Sequence, residues 1–302
     1  MGKKLRIVLV VLLIVLPSVL MWQVLRPREP EPIYQGKPLS FWLKGYDSGN
    51  YPGTNTALAP TRQEAETALR HLGSNALPVL LGMLRTPDSP FRDMLFGLAR
   101  QQRFFKIKPP MPSATQHNVA LWGLCTLGVN ASNALPQLMD IYERSPNHLS
   151  QQIIPAVLSG IGPPAKVAIP LLIRGTANTN DNVRMNSVYA LGQIQAEPDL
   201  VVPVLIKCLH DASPPFRANA ARSLAAFGNG ARPAAPALLA LLKEEQAKAT
   251  GVAGTRELYN WSVGDSPPGS FSGSSAPLDV AGIVLDALRS IDPEAAARVG
   301  RE

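Results

Sequence analysis

The stretches "VRMNSVYALGQI" (Val183–Ile194) and "FRANAARSLAAF" (Phe216–Phe227) align without a gap at an offset of 33 residues. Arg184 then aligns with Arg217. In both stretches apolar residues recur three and four positions apart, which is the spacing of an amphipathic helix. Self-similarity at a period of 33 to 34 residues is the signature of a repeat architecture, in which each unit packs only on its neighbours.

Four columns keep this period over about a hundred residues. They hold an apolar residue (Leu124, Leu158, Leu191, Leu224), another three positions later (Leu127, Ile161, Ile194, Phe227), a turn residue (Gly128, Gly162, Gln195, Gly228) and a proline (Pro136, Pro170, Pro203, Pro236). Glycine suits the left-handed C-cap of a first helix, and proline is tolerated in the opening turn of a second helix. Each unit therefore predicts a helix pair joined at a turn.

Further units are predicted at both ends of this array, in "TRQEAETALRHLGSNALPVLLGML" (61–84) and "LDVAGIVLDALRSIDPEAAARV" (278–299). The fold class predicted for residues 61–302 is all-α, a right-handed α-solenoid of about six helix pairs. Two insertions interrupt the period, at 89–115 and 245–277. The first contains a predicted helix from Phe91 to Phe104, and the second is rich in Gly, Ser and Pro, which predicts a long loop.

The repeat resembles the HEAT-repeat family, particularly the short bacterial HEAT-like repeats whose first helix reads VRxxAxxALGxIG. The resemblance covers residues 61 to about 245 and 276–300. Gln151 and His117 depart from it because they stand where the motif has arginine, and Pro155 interrupts a first helix. The resemblance implies an extended surface of stacked helices that binds proteins or peptides.

The amino terminus predicts a membrane anchor. Nineteen residues from Ile7 to Leu25 carry no charge, and about 20 apolar helical residues suffice to cross a bilayer. A signal anchor or transmembrane helix is therefore expected at 1–26, followed by a linker and capping segment at 27–60. Basic residues before the span favour a cytoplasmic amino terminus. The expected localisation is a single-pass protein of the bacterial inner membrane with its solenoid facing the periplasm or exterior.

The net charge of +7 is confined to the first part of the chain. Residues 116–302 carry 14 Lys and Arg against 15 Asp and Glu. Because no basic groove can then run along the whole array, nucleic acid is not an expected partner.

The sequence shows no arrangement typical of an active site. The four histidines are dispersed, without the spacing of a metal site, and P-loop, GxSxG and strand-linked GxGxxG motifs are absent. Cys125 and Cys208 lie two units apart, too far to form a disulfide, and both are expected to be buried. No cofactor and no enzymatic activity are predicted.

Candidate partner-binding residues fall in three places: Arg100, Arg103 and Lys106 in the first insertion, Tyr259 and Trp261 in the second, and Arg174, Lys207 and His210 at the ends of second helices. The first group is also explained by a packed helix with solvated arginines. The cations of the third group, together with Arg85, Arg144 and Lys243, would also complement helix dipoles.

The favoured function is therefore a non-catalytic scaffold or adaptor for a protein partner, tethered to a membrane. A nucleic-acid-binding HEAT-like protein is one alternative. A lyase-like, cofactor-handling protein is another, and it would need a reactive cysteine.

Overall fold

A short capping segment precedes the helix pairs. The structure is a computed structural model that describes residues 30–46, 59–86, 111–144, 148–251 and 278–299. Its first elements are strands β1 (Ile33–Tyr34) and β2 (Lys37–Pro38), which pair antiparallel, then helix α1 (Leu39–Trp42) and the 3-10 turn Leu43–Tyr46. Leu39 and Leu43 are buried against the first helix pair, so this segment covers the end of the hydrophobic core.

Six helix pairs follow in the described residues, and each pair has a first and a second helix. The first helices are α2 (Arg62–Leu72), α4 (Ser113–Leu127), α6 (His148–Ile161), α8 (Asp181–Ile194), α10 (Pro214–Ala225) and α12 (Val280–Ile291). The second helices are α3 (Leu77–Leu84), α5 (Leu135–Arg144), α7 (Ile169–Gly175), α9 (Pro198–Cys208), α11 (Ala235–Gly251) and α13 (Pro293–Val299).

The first helices form a continuous row, since each one packs against the first helix of the next pair. Each second helix from α3 to α11 packs on the first helix of the following pair, which ties successive units together. The predicted leucine column, Leu124, Leu158, Leu191 and Leu224, is fully buried along this row. Burying a leucine side chain contributes about 1.5–3 kcal/mol, so the repeated column supplies a single core shared by all units.

The turns between paired helices follow the glycine column. Gly73, Gly128, Gly162 and Gly228 all have positive φ, between 50° and 75°. At the first three of these the ψ angle lies between −125° and −144°, a combination that side chains with a Cβ avoid. In the fourth unit Gln195 has φ 51° and ψ 35°, which is the left-handed helical region that other residues can enter. The fourth turn therefore tolerates glutamine because its backbone conformation differs.

Polar side chains join neighbouring first helices through backbone carbonyl groups. Asn186 Nδ2 donates to the carbonyl of Gln152 over 2.8 Å, and Asn219 Nδ2 donates to the carbonyl of Met185 over 2.9 Å. The two asparagines are 33 residues apart, and each reaches the helix of the preceding unit. A hydrogen bond that spans a buried interface fixes the register of the helices because leaving its donor unpaired costs about 1–3 kcal/mol.

The departures from the repeat motif are accommodated locally. His117 is fully buried, and its Nε2 lies 3.1 Å from the carbonyl oxygen of Leu84 at the end of α3. Ser150 also donates to that carbonyl. Helix α6 continues through Pro155.

The predicted insertions are partly helical where the structure describes them. Helix α4 begins at Ser113, inside the insertion predicted at 89–115, and α11 continues to Gly251, inside the one predicted at 245–277. The predicted helix from Phe91 to Phe104 lies outside the described residues.

The membrane part of the predicted fold class and localisation is corrected. Among the described helices none is both long and apolar enough to cross a bilayer. The longest, α11, has 17 residues, and at about 1.5 Å per residue it is shorter than a hydrocarbon core of about 30 Å. The segment 1–26, on which that prediction rested, lies outside the described residues. A transmembrane helix and a single-pass inner-membrane protein are therefore not supported, whereas the all-α stack of helix pairs is.

Candidate functional site

One side of the second helices is exposed and repeats from unit to unit. On α9, Pro203 and Lys207 are exposed together with Leu200, and Ile206 beside them is half-buried. Leu200, Pro203 and Lys207 are three and four residues apart, so they share one face of the helix. We name this area with its neighbours the second-helix surface. It consists of Val167, Ile173, Arg174, Leu200, Ile206, Lys207, His210, Leu239 and Lys243.

The third and fourth units present the same sequence of side chains on this surface. Val167 and Leu200 stand three residues before the proline of their unit, and both side chains are 56% exposed. Three residues after the proline comes a half-buried isoleucine in both units, and then an exposed cation, Arg174 or Lys207. Val167 lies in the 3-10 turn Pro163–Ala168 just before α7, whereas Leu200 lies on α9. The apolar stripe therefore runs from that turn to α9, and the cationic stripe runs from α7 to α9.

The fifth unit extends the cationic stripe at a neighbouring position. Lys243 on α11 is exposed, and it stands seven residues after its proline, as His210 does in the fourth unit. Leu239 occupies the position of Ile206 and is half-buried. Four exposed basic residues thus occur on α7, on and just after α9, and on α11: Arg174, Lys207, His210 and Lys243.

These basic residues differ in their partners. Arg174 Nη2 lies 2.7 Å from Glu143 Oε1, and both side chains are more than half exposed. Within the part of the chain that the structure describes, Lys207, His210 and Lys243 form no ion pair. Lys207 and Lys243 therefore stand exposed without a paired carboxylate among the described residues.

Nearby carboxylates are bonded to other cations. Glu244 accepts a hydrogen bond from Lys248 over 2.6 Å. The pKa of Glu244 is lowered, first by this hydrogen bond and the charge of Lys248 and in smaller part by Arg217 and His210. Glu245 lies 2.7 Å from Arg217 and 3.0 Å from Lys248.

A partly buried network of ion pairs lies next to the second-helix surface. Arg184 pairs with Asp211, next to His210, and its guanidinium lies 4.5 Å from the centre of the Phe216 ring. Arg217 donates to the carbonyls of Asp211 and Ala212 over 2.8 and 3.0 Å and pairs with Glu245 on α11. The network joins the loop after α9 to α11, which fixes the relative positions of Lys207 and Lys243.

Helix dipoles account for only part of the cation pattern. Helix α7 ends at Gly175 and α9 ends at Cys208, so Arg174 and Lys207 stand in final turns, where a cation is favoured. Helix α11 continues for eight residues beyond Lys243. Because the dipole effect is confined to the last turn, it does not explain Lys243.

The two cysteines are free thiols with little reactivity. Burial raises the pKa of Cys125 to about 12 and the pKa of Cys208 to about 11. A thiol reacts as the thiolate, so neither group is an activated nucleophile. Among the described residues, no three His, Cys, Asp or Glu side chains are grouped so that they could hold a metal ion.

The structure describes three of the predicted site residues and leaves five undescribed. Arg174 lies on α7, Lys207 on α9 and His210 just after α9, and all three are exposed. Arg100, Arg103, Lys106, Tyr259 and Trp261 lie outside the described residues and stay predictions. Sequence reasoning missed Val167 and Leu200. Their shared position three residues before the proline is the signal that could have identified them.

Comparisons with known proteins agree with the repeat. Residues 169–253 match the family model described as HEAT repeats. No curated protein matches the chain. Among solved structures, the crystal structure of an engineered protein, a target of the Northeast Structural Genomics Consortium, is 18% identical over 70% of this chain and 90% of that chain. Its TM-score is 0.33, which is too low to support a conclusion.

HEAT repeats generally mediate interactions between proteins, because stacked helix pairs create extended binding surfaces. The matched segment contains α7, α8, α9, α10 and α11, which include most of the second-helix surface. The helix pairs and the buried columns agree with this match, so the segment 169–253 is similar to HEAT repeats.

Proposed function

We propose that the chain is a non-catalytic scaffold or adaptor that binds a protein partner on the second-helix surface. The observation that carries this proposal is the recurrence, at equivalent positions of two successive units, of an exposed apolar residue and an exposed cation. These are Val167 and Arg174 in one unit, and Leu200 and Lys207 in the next. The hydrophobic core does not require these four residues, because exposed side chains contribute little to packing.

The dimensions of the surface fit a protein better than a small molecule. Neighbouring helices are spaced by about 10 Å, so three units present a strip about 20–30 Å long. Small-molecule sites are concave pockets that enclose most of the ligand. An exposed apolar patch rimmed by charged residues is instead typical of protein-binding surfaces.

Two matched variants test the proposal. Leu200→Asp places a carboxylate on the second-helix surface. Val129→Asp makes the same change on a side chain that is 58% exposed in the turn before α5, two units away from Leu200. Each variant and the unaltered chain would be used to capture proteins from an extract of the source cells, with unfolding by urea measured in parallel.

We expect the free energy of unfolding of both variants to lie within about 0.5 kcal/mol of that of the unaltered chain, because neither side chain is buried. A specific partner should be recovered by the unaltered chain and by Val129→Asp, and its recovery should fall at least about tenfold with Leu200→Asp, since a carboxylate would be desolvated against an apolar group. Equal recovery by all three proteins would contradict the proposal.

A further inference from the structure

We infer that Asn229 is a site of spontaneous deamidation, and that opening of the turn in which it lies sets the rate. The sequence contains one Asn-Gly pair, Asn229–Gly230. The pair lies in the 3-10 turn Gly228–Ala234, between α10 and α11, and both residues are exposed. The inference goes beyond the proposed function, because the reaction takes place within the chain and needs only water.

The reaction is an attack of the main chain on a neighbouring side chain. The backbone nitrogen of Gly230 loses its proton to hydroxide and attacks the side-chain carbonyl carbon of Asn229. A bond forms between this nitrogen and Cγ, the bond between Cγ and Nδ2 breaks, and ammonia leaves after taking a proton from water. Water then opens the five-membered succinimide at either of its two carbonyl groups, which yields aspartate or isoaspartate.

Both reacting groups are sterically accessible. Within the part of the chain that the structure describes, the Asn229 side chain makes no hydrogen bond that would hold its amide in place. Gly230 has no Cβ to hinder the approach of its nitrogen. A Cβ built on Gly230 would have its nearest atom, Cβ of Pro198, 3.8 Å away. The reaction is therefore not blocked by neighbouring groups.

The closed turn holds the two groups in an unreactive geometry. The N–H of Gly230 donates to the carbonyl of Phe227 over 3.0 Å. Ring closure requires the Gly230 nitrogen to eclipse Cβ of Asn229, at a ψ of about −120°, whereas ψ in a 3-10 turn is about −20 to −30°. The peptide after Asn229 must therefore rotate by about 90°. Because this rotation breaks the hydrogen bond to Phe227, only an opened turn can react.

Opening of this turn should be a local event. Exposed turns open at a lower free energy than the whole chain unfolds. The rate of deamidation is then the rate in a flexible peptide multiplied by the fraction of molecules whose turn is open. Gly228 begins the turn with φ 50°. A residue with a Cβ is disfavoured in this left-handed region, so alanine at this position should increase the open fraction.

Isoaspartate would alter the contact between the turn and α9. It adds one carbon to the main chain between residues 229 and 230, and it adds a negative charge. Gly230 lies beside Pro198, which begins α9. The longer main chain should displace Gly230 from Pro198, so we expect faster hydrogen exchange in the first turn of α9.

The test compares the full chain with a synthetic peptide of residues 225–233. Both are incubated in mildly alkaline buffer, and deamidation is followed by mass spectrometry of proteolytic fragments. Asn130 is the internal control, because it is exposed in the equivalent turn Gly128–Ala134 but precedes the fully buried Ala131. We expect Asn229 in the chain to react at least about tenfold more slowly than in the peptide. It should react at least about tenfold faster than Asn130.

Two variants separate the chemistry from the opening of the turn. Gly230→Ala should slow deamidation at least about tenfold in both the chain and the peptide, because a Cβ then hinders the attack. Gly228→Ala should speed it at least about threefold in the chain and change the peptide by less than about twofold. Urea unfolding and the rate at Asn130 show whether each variant is folded, since global unfolding would accelerate both asparagines.

Three results would overturn the inference. Asn229 could react no faster than Asn130, it could react as fast in the native chain as in the peptide, or its rate could be unchanged in folded Gly228→Ala. The deamidated chain separates from the unaltered chain by its added negative charge. Its hydrogen exchange in the first turn of α9 should be at least about threefold faster, and unchanged exchange would refute the effect on α9.

Discussion

Replacing Gly162 by alanine tests the explanation of the glycine column. Gly162 ends α6 with φ 75° and ψ −144°, and a Cβ placed there would have no atom within 4 Å. The cost is therefore one of backbone conformation alone. Holding a residue with a side chain in such a region costs about 1–3 kcal/mol. Alanine regains about 0.4–1 kcal/mol by restricting the unfolded chain, so we expect a net loss of about 1–2 kcal/mol.

The matched control is Gln195→Ala, at the equivalent position one unit later. There φ is 51° and ψ is 35°, and both glutamine and alanine carry a Cβ, so the change should be within about 0.5 kcal/mol of zero. Urea unfolding followed by circular dichroism measures both. With a slope of about 3 kcal/mol per molar, Gly162→Ala should lower the midpoint by about 0.3–0.7 M. An unchanged midpoint for Gly162→Ala, or an equal loss for Gln195→Ala, would refute the reasoning.

Three further predictions concern contacts elsewhere. Arg217→Met should destabilise the fold by about 3 kcal/mol, because it leaves the largely buried carboxylate of Glu245 with Lys248 as its remaining partner, and urea unfolding measures the loss. Tyr46→Phe should lower the stability of the capping segment by about 1 kcal/mol, because it removes the 2.8 Å hydrogen bond to Thr126 on α4. Hydrogen exchange of the α1 amides should then be faster. Cys208 should react with a disulfide reagent at pH 8 only after unfolding, because burial raises its pKa to about 11, so the native thiol holds its proton at this pH.

Each of these has an outcome that would contradict it. Arg217→Met with unchanged stability would mean that the network does not join α9 to α11. Unchanged hydrogen exchange in α1 after Tyr46→Phe would mean that the bond to Thr126 does not stabilise the capping segment. Rapid labelling of Cys208 in the native chain, with Cys208→Ala as the blank, would contradict its burial.

The period of the sequence was enough to predict the helix pairs, because a buried column must recur at the same place in every unit. Leu124, Leu158, Leu191 and Leu224 are all fully buried, as predicted. The glycines of this column have positive φ, but at Gly128 and Gly162 the ψ angle lies outside the left-handed helical region that was predicted for the C-cap. The exception at Gln195 reveals a different turn, which a column of residue types alone does not show.

The candidate surface could be predicted only in part from the sequence, because the exposure of a side chain depends on the packing of neighbouring units. Arg174 and Lys207 were selected from their charge, whereas Leu200 resembles any core leucine in the sequence. Leu200 is 56% exposed although α9 packs on α10. The continuation of α11 beyond Lys243 was also missed, since "KEEQAKATG" (243–251) precedes a Gly- and Ser-rich stretch and was assigned in part to the loop.

The most direct test of the central claim, that the second-helix surface binds a protein, is site-specific photocrosslinking. A photoreactive residue would replace Leu200 in one protein and Val129 in another, since the two side chains are similarly exposed, 56% and 58%. We expect illumination to join the partner to position 200 and to leave position 129 unmodified. Crosslinking at position 129 with none at position 200 would contradict it.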